Sequence, residues 1–312
     1  MNNNKIIFVC GALRSGTTLL HLMLNSHPNI KNPGEFDFLF DMISENGDFP
    51  DIHSYHNFLE THRIFNSTSL IINKQLSYKE LIYSFIHQLQ SDNKNVLALN
   101  IHRNFDRIPY LFPTTRYIHL IRDPRDVARS SIGMGWSGNV FHGVDHWIDS
   151  ENSWKKLQKN IAPKQYYTLK FEDLILAPKK TLHKLCAFME VDYSNNMMNY
   201  DNTSTYSKPD PALVEQWKTK LSKKEIQLVE YKAQNLLQGA GYQLSNEPLT
   251  DISLLERFKL QIDNKIFRSK FSIKRYGFFI WFTGFISRLL HFHGLNKQNQ
   301  IKMNEIDKLY LK

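Results

Sequence analysis

The chain has 312 residues and a mass of 36.8 kDa, and its 42% hydrophobic and 22% charged residues with 11 Pro and 13 Gly exclude collagenous, coiled-coil and wholly disordered classes. That length holds two domains, or one large α/β domain with appendages. Lys and Arg total 39 against 30 Asp and Glu, and the net +9 and pI near 9.3 invite a polyanion: nucleic acid, anionic lipid or a phosphorylated small molecule.

Residues 6–10 form a short apolar run that reads as a buried strand and is too short for the apolar region of a signal peptide. A helix follows over 17–25 and stops before His27-Pro28. Residues 41–69 are polar and weakly periodic and read as a surface loop, whereas 79–89 alternates faces at helical spacing. Runs 96–101, 116–121 and 166–171 are further buried strands, and 179–189 is a helix starting just after Pro178. Trp147 and Trp154 lie seven apart on a helix, the spacing of core packing. Residues 195–211 are a loop of Asn, Ser, Thr and Pro, and after Gly241-Tyr242 the alternation of strand and helix ends. This order predicts a parallel sheet flanked by helices over 1–245, with ligands bound at the carboxyl ends of the strands, and a helical extension over 246–312. Two cysteines, Cys10 and Cys186, cannot build a disulfide framework and fit a reducing compartment, so a cytoplasmic location is expected. No run reaches the ~18 uncharged apolar residues of a spanning helix.

Directly after the first strand stands Gly11-Ala-Leu-Arg14-Ser15-Gly16-Thr17-Thr18, with glycines spaced as in a P-loop, whose backbone N–H groups and following helix N-terminus cradle phosphate oxygens. Thr17 replaces the lysine that a Walker loop requires, the cation sits instead at Arg14, and no acidic residue ends a strand as a magnesium holder. Such a loop is poorly equipped for γ-phosphoryl transfer, which weakens a kinase or NTPase reading.

Gly11 to Leu20 with His27-Pro28 closely resembles the 5′-phosphosulfate loop of the PAPS-dependent sulfotransferases, in particular the tyrosylprotein, carbohydrate and bacterial branches. Residues 116–130 resemble that family's 3′-phosphate motif, with Arg122 at the strand end and Ser130 eight residues on. A guanidinium fork and a hydroxyl match a terminal phosphate. Arg125 and Arg129 read as solvated helix residues, with a role as further phosphate ligands the alternative, and Asp123 reads as a cap of the turn. The segment 169–188 resembles the family's Tyr-Glu-Asp-Leu strand and helix, but Phe171 replaces the tyrosine, so its hydroxyl contact is either lost or supplied by Tyr166, Tyr167 or Tyr206. The segment 204–242 resembles a closing loop over the 3′-phosphate, with Tyr206 and Lys208 as ligands.

The resemblance implies a P-loop-containing α/β fold. It also implies transfer of a sulfuryl group from PAPS, with 3′,5′-ADP as product, to a hydroxyl or amine of a small molecule, glycan or lipid, without a metal. It places Arg14 on the leaving phosphate, with Ser15, Gly16, Thr17 and Thr18 as loop donors. Two residues compete as general base: Glu35, which matches the glutamate after the His-Pro segment of tyrosylprotein sulfotransferases, and His102, near where cytosolic members carry Lys-Thr-His. Asn100 stands where that motif has lysine, and Arg103 is a candidate replacement. Histidine has the pKa suited to neutral-pH base catalysis; a glutamate needs burial to raise its own. Trp136, between Gly133 and Gly138, is either part of a hinged lid over the acceptor or an ordinary exposed loop residue. An inactive nucleotide-binding scaffold remains a further alternative.

The charge is lopsided. Residues 251–312 carry twelve Lys and Arg against five Asp and Glu, a net +7, beside the aromatic run 276–286. This segment either packs its rings on the rest of the chain or a second copy, or lies on an anionic membrane surface. Nucleic acid is no longer the partner that the charge suggests, because the remaining residues are nearly neutral.

Overall fold

The computed structural model describes residues 5–90, 94–202, 204–248 and 250–310. Five parallel strands, β1 (Lys5–Cys10), β2 (Ile30–Lys31), β3 (Val96–Ile101), β4 (Arg116–Ile121) and β5 (Tyr166–Lys170), form one sheet in the order β2-β3-β1-β4-β5. The helices described are α1 (Thr17–Asn25), α2 (Ile52–Thr61), α3 (Tyr78–Leu89), α4 (Pro124–Gly133), α5 (Val140–Gly143), α6 (Asp145–Gln158), α7 (Phe171–Leu176) and α8 (Pro178–Met189). They continue with α9 (Trp217–Lys220), α10 (Lys223–Gly239), α11 (Leu254–Tyr276), α12 (Phe278–Leu289) and α13 (His293–Tyr310).

The sheet has two dry faces because its strands read as continuous apolar runs. Phe8 and Cys10 of β1 join Phe36, Phe40, Tyr55, Phe85 and Phe105 on one side. Ile7 and Val9 point the other way, onto Leu20, Met23, Leu174 and Leu182 of α1, α7 and α8. A third cluster ties α4, α5, α6 and α10 together around Val127, Trp147 and Val229. Trp147 and Trp154 are both buried, as their spacing predicts.

Two elements differ from the sequence expectation. Within 41–69, read as a loop, α2 runs Ile52–Thr61 with Asp51 as its N-cap, accepting from the Ser54 N–H at 2.8 Å. Only Tyr55 and Leu59 of α2 are buried, too sparse an apolar stripe to register as helical periodicity. β2 is two residues long and is held by β3. It carries the chain to an isolated parallel bridge between Glu35 and Asn100, closed by Phe36 N–H to Asn100 O at 2.8 Å and Asn100 N–H to Gly34 O at 2.9 Å.

The result is one functional edge. Gly11, His102, Arg122 and Phe171 each directly follow β1, β3, β4 and β5, and the Glu35 bridge lies beside the end of β3. The C-terminal helices pack on one another and on the sheet-bearing part. The Asn264 side chain accepts from the Gly138 N–H at 2.7 Å, and Asn304 donates to Thr61 O at 2.9 Å. Lys297 pairs with Glu60.

Candidate active site

The loop after β1 is a tight turn. Ser15 N–H donates to Ala12 O at 3.1 Å, Arg14 and Gly16 take φ of 71° and 94°, and Leu20 N–H to Gly16 O at 3.1 Å opens α1. Glycine is required at 16 both for that φ and for space, because a Cβ there would lie 2.2 Å from the Phe171 ring. The first N–H groups of α1 have no intrahelical acceptor, and the helix dipole adds a positive field at the loop. His146 braces the loop from below with a ring nitrogen 3.1 Å from Leu13 O, a contact with no signal in the sequence.

A cavity of about 190 Å³ opens on this loop, lined by Arg14, Gly16, Thr17, Thr18, Arg122 and Phe171 and, from the 195–211 segment, by Tyr206 and Lys208. Sequence positions almost 200 apart thus converge on one concave surface rich in cations and hydroxyls. Arg14 Nε donates to Ser130 Oγ at 2.9 Å, which brings α4 to the loop. Arg122 donates to Arg14 O at 3.3 Å and Leu213 O at 2.9 Å, and its guanidinium stacks 4.3 Å from the Phe171 centroid. Its Nε is buried without a partner among the described residues, and the two bonds use two of the five guanidinium N–H donors, so donors on the terminal nitrogens are left for an anion at the cavity that Arg122 lines. Asp126, 3.7 Å from Arg122, is pushed up to about 6, chiefly by burial. These donors fit a phosphorylated nucleotide.

Ser15 lies fully buried rather than on the cavity wall, and its Oγ has no partner among the described residues. Lys208 lines the cavity from an exposed position, 3.8 Å from Asp201. Of the three tyrosines considered as replacements for the hydroxyl absent at Phe171, Tyr206 is at the cavity. Tyr166 accepts from Gln158, and Tyr167 stacks on Phe188. Phe171 itself is a platform joining Gly16 to Arg122, a role its ring fulfils without a hydroxyl.

A second cavity, of about 550 Å³, shares Arg14, Thr17, Thr18 and Tyr206 with the first. Glu35, His102, Arg103, Trp136 and Tyr310 are among its other walls. His102 is buried, donates Nδ1–H to Gly11 O at 2.9 Å, and holds Nε2 3.5 Å from Glu35 Oε1, while its backbone N–H donates to Asp37 Oδ1 at 2.7 Å. Burial works against its charge, but Asp37, Glu35 and the Gly11 carbonyl outweigh burial and raise its pKa to about 9. Burial pushes the Glu35 carboxyl up, yet His102, Arg63 and Arg103 together hold it below the ordinary value. At neutral pH the pair is therefore imidazolium and carboxylate. Glu35 is the partly exposed member, with 36% of its side chain accessible against 1% for His102.

The structure corrects the reading of Arg125 as a solvated residue. It is buried, pairs with Asp123 at 2.6 Å and Glu230 at 2.7 Å, and lies 3.5 Å from the Trp217 centroid, fastening α4 to α9 and α10. Arg129 is partly buried and donates to Gln216 at 3.1 Å. Asp123 does cap α4, accepting from the Arg125 N–H at 2.9 Å. Arg103 reaches the second cavity but is held by a bidentate pair with Asp41 at 2.7 and 2.6 Å. Asn100, which departs from the family pattern, braces the edge: its amide donates to Thr17 O at 3.4 Å and its oxygen accepts from Asn32 at 3.1 Å.

A sequence model of the sulfotransferase family matches residues 7–195, more than half of the chain. Protein-tyrosine sulfotransferase A of Caenorhabditis elegans is 21% identical over 213 residues, which span 64% of this chain and 53% of that protein. The omega-hydroxy-beta-dihydromenaquinone-9 sulfotransferase of Mycobacterium tuberculosis is 27% identical over 124 residues, 35% of this chain and 32% of that protein. The chain thus matches about half and about a third of these two relatives. Among solved structures, the sulfotransferase domain from the curacin biosynthetic pathway superposes with a TM-score of 0.58 at 19% identity, over 78% of this chain and 100% of that domain, a likeness of fold. With that family match running over more than half of its length, the chain belongs to the sulfotransferase family.

Proposed function

We propose that the smaller cavity takes the nucleotide of PAPS and the larger one an alcohol borne by a small molecule, glycan or lipid, with Glu35 as general base. The observation that carries this reading is the junction: the two cavities meet at Arg14, Thr17, Thr18 and Tyr206, and Glu35 stands on the acceptor side alone. PAPS supplies a sulfuryl group on a phosphate leaving group. Arg14, Thr17 and Thr18 with the α1 N-terminus offset the negative charge that grows on that phosphate, and Arg122, Ser130 and Lys208 hold the 3′-phosphate.

His102 is charged and buried behind Glu35, so it has no lone pair to offer an acceptor. It positions the carboxylate instead. Glu35 accepts the acceptor's proton as the acceptor oxygen bonds to sulfur, a stage at which that proton is acidic enough for a weak base. Leu13, Ile64, Met134, Trp136 and Tyr310 give the acceptor cavity an apolar wall, which supports an amphiphilic alcohol. The name of the mycobacterial relative, a dihydromenaquinone sulfotransferase, is in keeping with a lipid acceptor. The buried free thiols of Cys10 and Cys186 support a reducing, cytoplasmic setting.

The test is transfer of labelled sulfuryl from PAPS to a panel of lipid alcohols, oligosaccharides and phenols. Transfer to one class that disappears in Glu35→Gln while 3′,5′-ADP affinity holds supports the reading. Full turnover in Glu35→Gln, or transfer by the native protein to no member of the panel, counts against it.

A further inference from the structure

Helices α11, α12 and α13 enclose a cleft of about 430 Å³ that belongs to neither cavity of the catalytic edge. Lys265, Arg268 and Arg288 line it together with the hydroxyl-bearing Ser269 and Ser272 and the Trp281 ring. Among the described residues none of these three cations pairs with a carboxylate. The neighbouring Asp307 is engaged by Arg275 at 3.5 Å and by the Tyr276 hydroxyl at 2.9 Å.

Beside the cleft, α12 turns a stripe of large apolar side chains to solvent. Phe278, Phe282, Phe285 and Leu289 recur at steps of four, three and four, one helix face, and are 54%, 44%, 48% and 63% exposed. Phe279, 80% exposed, widens the stripe. Gly284, Arg288 and Trp281 occupy the adjoining flank, which puts the cationic cleft along the edge of the apolar stripe. At 12 residues α12 is about 18 Å long by the 1.5 Å rise per residue, against the ~30 Å of a bilayer core. Among the described residues no helix is long and apolar enough to cross a membrane.

We propose that this face docks on an anionic phospholipid bilayer, with the α12 aromatics at the level of the headgroups and one phosphate headgroup held in the cleft by Lys265, Arg268 and Arg288. Rings that are apolar yet short of spanning, flanked by unpaired cations and hydroxyls, match the two demands of an interfacial helix, apolar burial and attraction to anionic lipid. The charge supports a bilayer over a second copy of the chain: residues 251–312 carry a net +7, so two such faces would repel. This inference stands apart from the reading of the catalytic edge.

The test is co-sedimentation of the full chain with vesicles of phosphatidylcholine alone and of phosphatidylcholine mixed with phosphatidylglycerol. Binding is expected to the mixed vesicles, to weaken as salt rises, and to fall roughly fivefold for each cation removed in Arg268→Ala and Arg288→Ala. Phe279→Ala with Phe282→Ala should also weaken it, and 3′,5′-ADP binding by every variant reports that the fold and the catalytic edge survive. Equal binding to neutral vesicles with silent arginine variants overturns the proposal. So does the absence of vesicle binding, and so does a dimer that Phe282→Asp splits, which would make this face a contact between copies.

Discussion

The carboxyl edge of the sheet and the C-terminal helices solve opposite problems with cations. At the edge each arginine has a defined partner: Arg14 holds Ser130, Arg122 stacks on Phe171, and Arg125 is locked between Asp123 and Glu230. On α11 and α12, Lys265, Arg268 and Arg288 face a solvent-open cleft beside exposed rings. Geometry that is fixed in advance suits a small ligand of fixed shape, because the protein bears no reorganisation at the moment of reaction. Unpaired cations next to apolar surface suit a partner that is itself diffuse. The two regions meet at Tyr310, which closes α13 and lines the acceptor cavity.

The comparison can be broken first at the edge. Replacing the Glu35 carboxylate by an amide, Glu35→Gln, should lower kcat by about 10²- to 10⁴-fold, the usual contribution of a general base, with nucleotide affinity unchanged by calorimetry. The buried network is next. Arg125→Ala leaves Asp123 and Glu230 as uncompensated buried carboxylates and should cost about 3–5 kcal/mol of stability, read from denaturant midpoints; Arg288→Ala, on the exposed face, should cost nothing measurable.

The pH profile of kcat sharpens the division of labour between Glu35 and His102. A neutral His102 acting as base would make the rate climb about tenfold per pH unit from 6 toward its pKa of about 9. With Glu35 as base the profile is flat over that interval, and the acid limb falls below the ordinary carboxylate range because His102 holds the Glu35 pKa down. The linkage runs the same way in stability. The raised pKa of His102 means its charged form stabilises the fold fully below about 6.5, and that contribution is lost as pH rises through about 9. The smallest effect belongs to the meeting point: Tyr310→Ala should raise the KM for the acceptor a few-fold and leave nucleotide affinity as it is.

What could be read from the sequence was what the chain keeps contiguous. The loop from Gly11 to Thr18 and the strand from Arg116 with its Arg122 end are local patterns, so their type and chemistry survive without a structure. Glu35 and His102 were legible as rivals but not as an ion pair, because their relation depends on a two-residue strand and an isolated bridge to Asn100 that no periodicity reveals. Arg125 looked solvated because one of its partners, Glu230, lies 105 residues away on another helix. The acceptor wall drew on His62, Arg63 and Ile64, just past the end of an α2 whose few buried positions hid its helix, and on Tyr310, almost 300 residues from Arg14.

Binding calorimetry with 3′,5′-ADP and 5′-AMP, on the native chain and on Arg122→Ala, tests the central claim most directly. With the Arg122 guanidinium on its wall, the smaller cavity should prefer the bisphosphate, and Arg122→Ala should remove that preference, about 10- to 100-fold in affinity, while leaving 5′-AMP binding nearly unchanged. Equal affinity for the two nucleotides in the native chain, or an Arg122→Ala protein that keeps the preference, would contradict it.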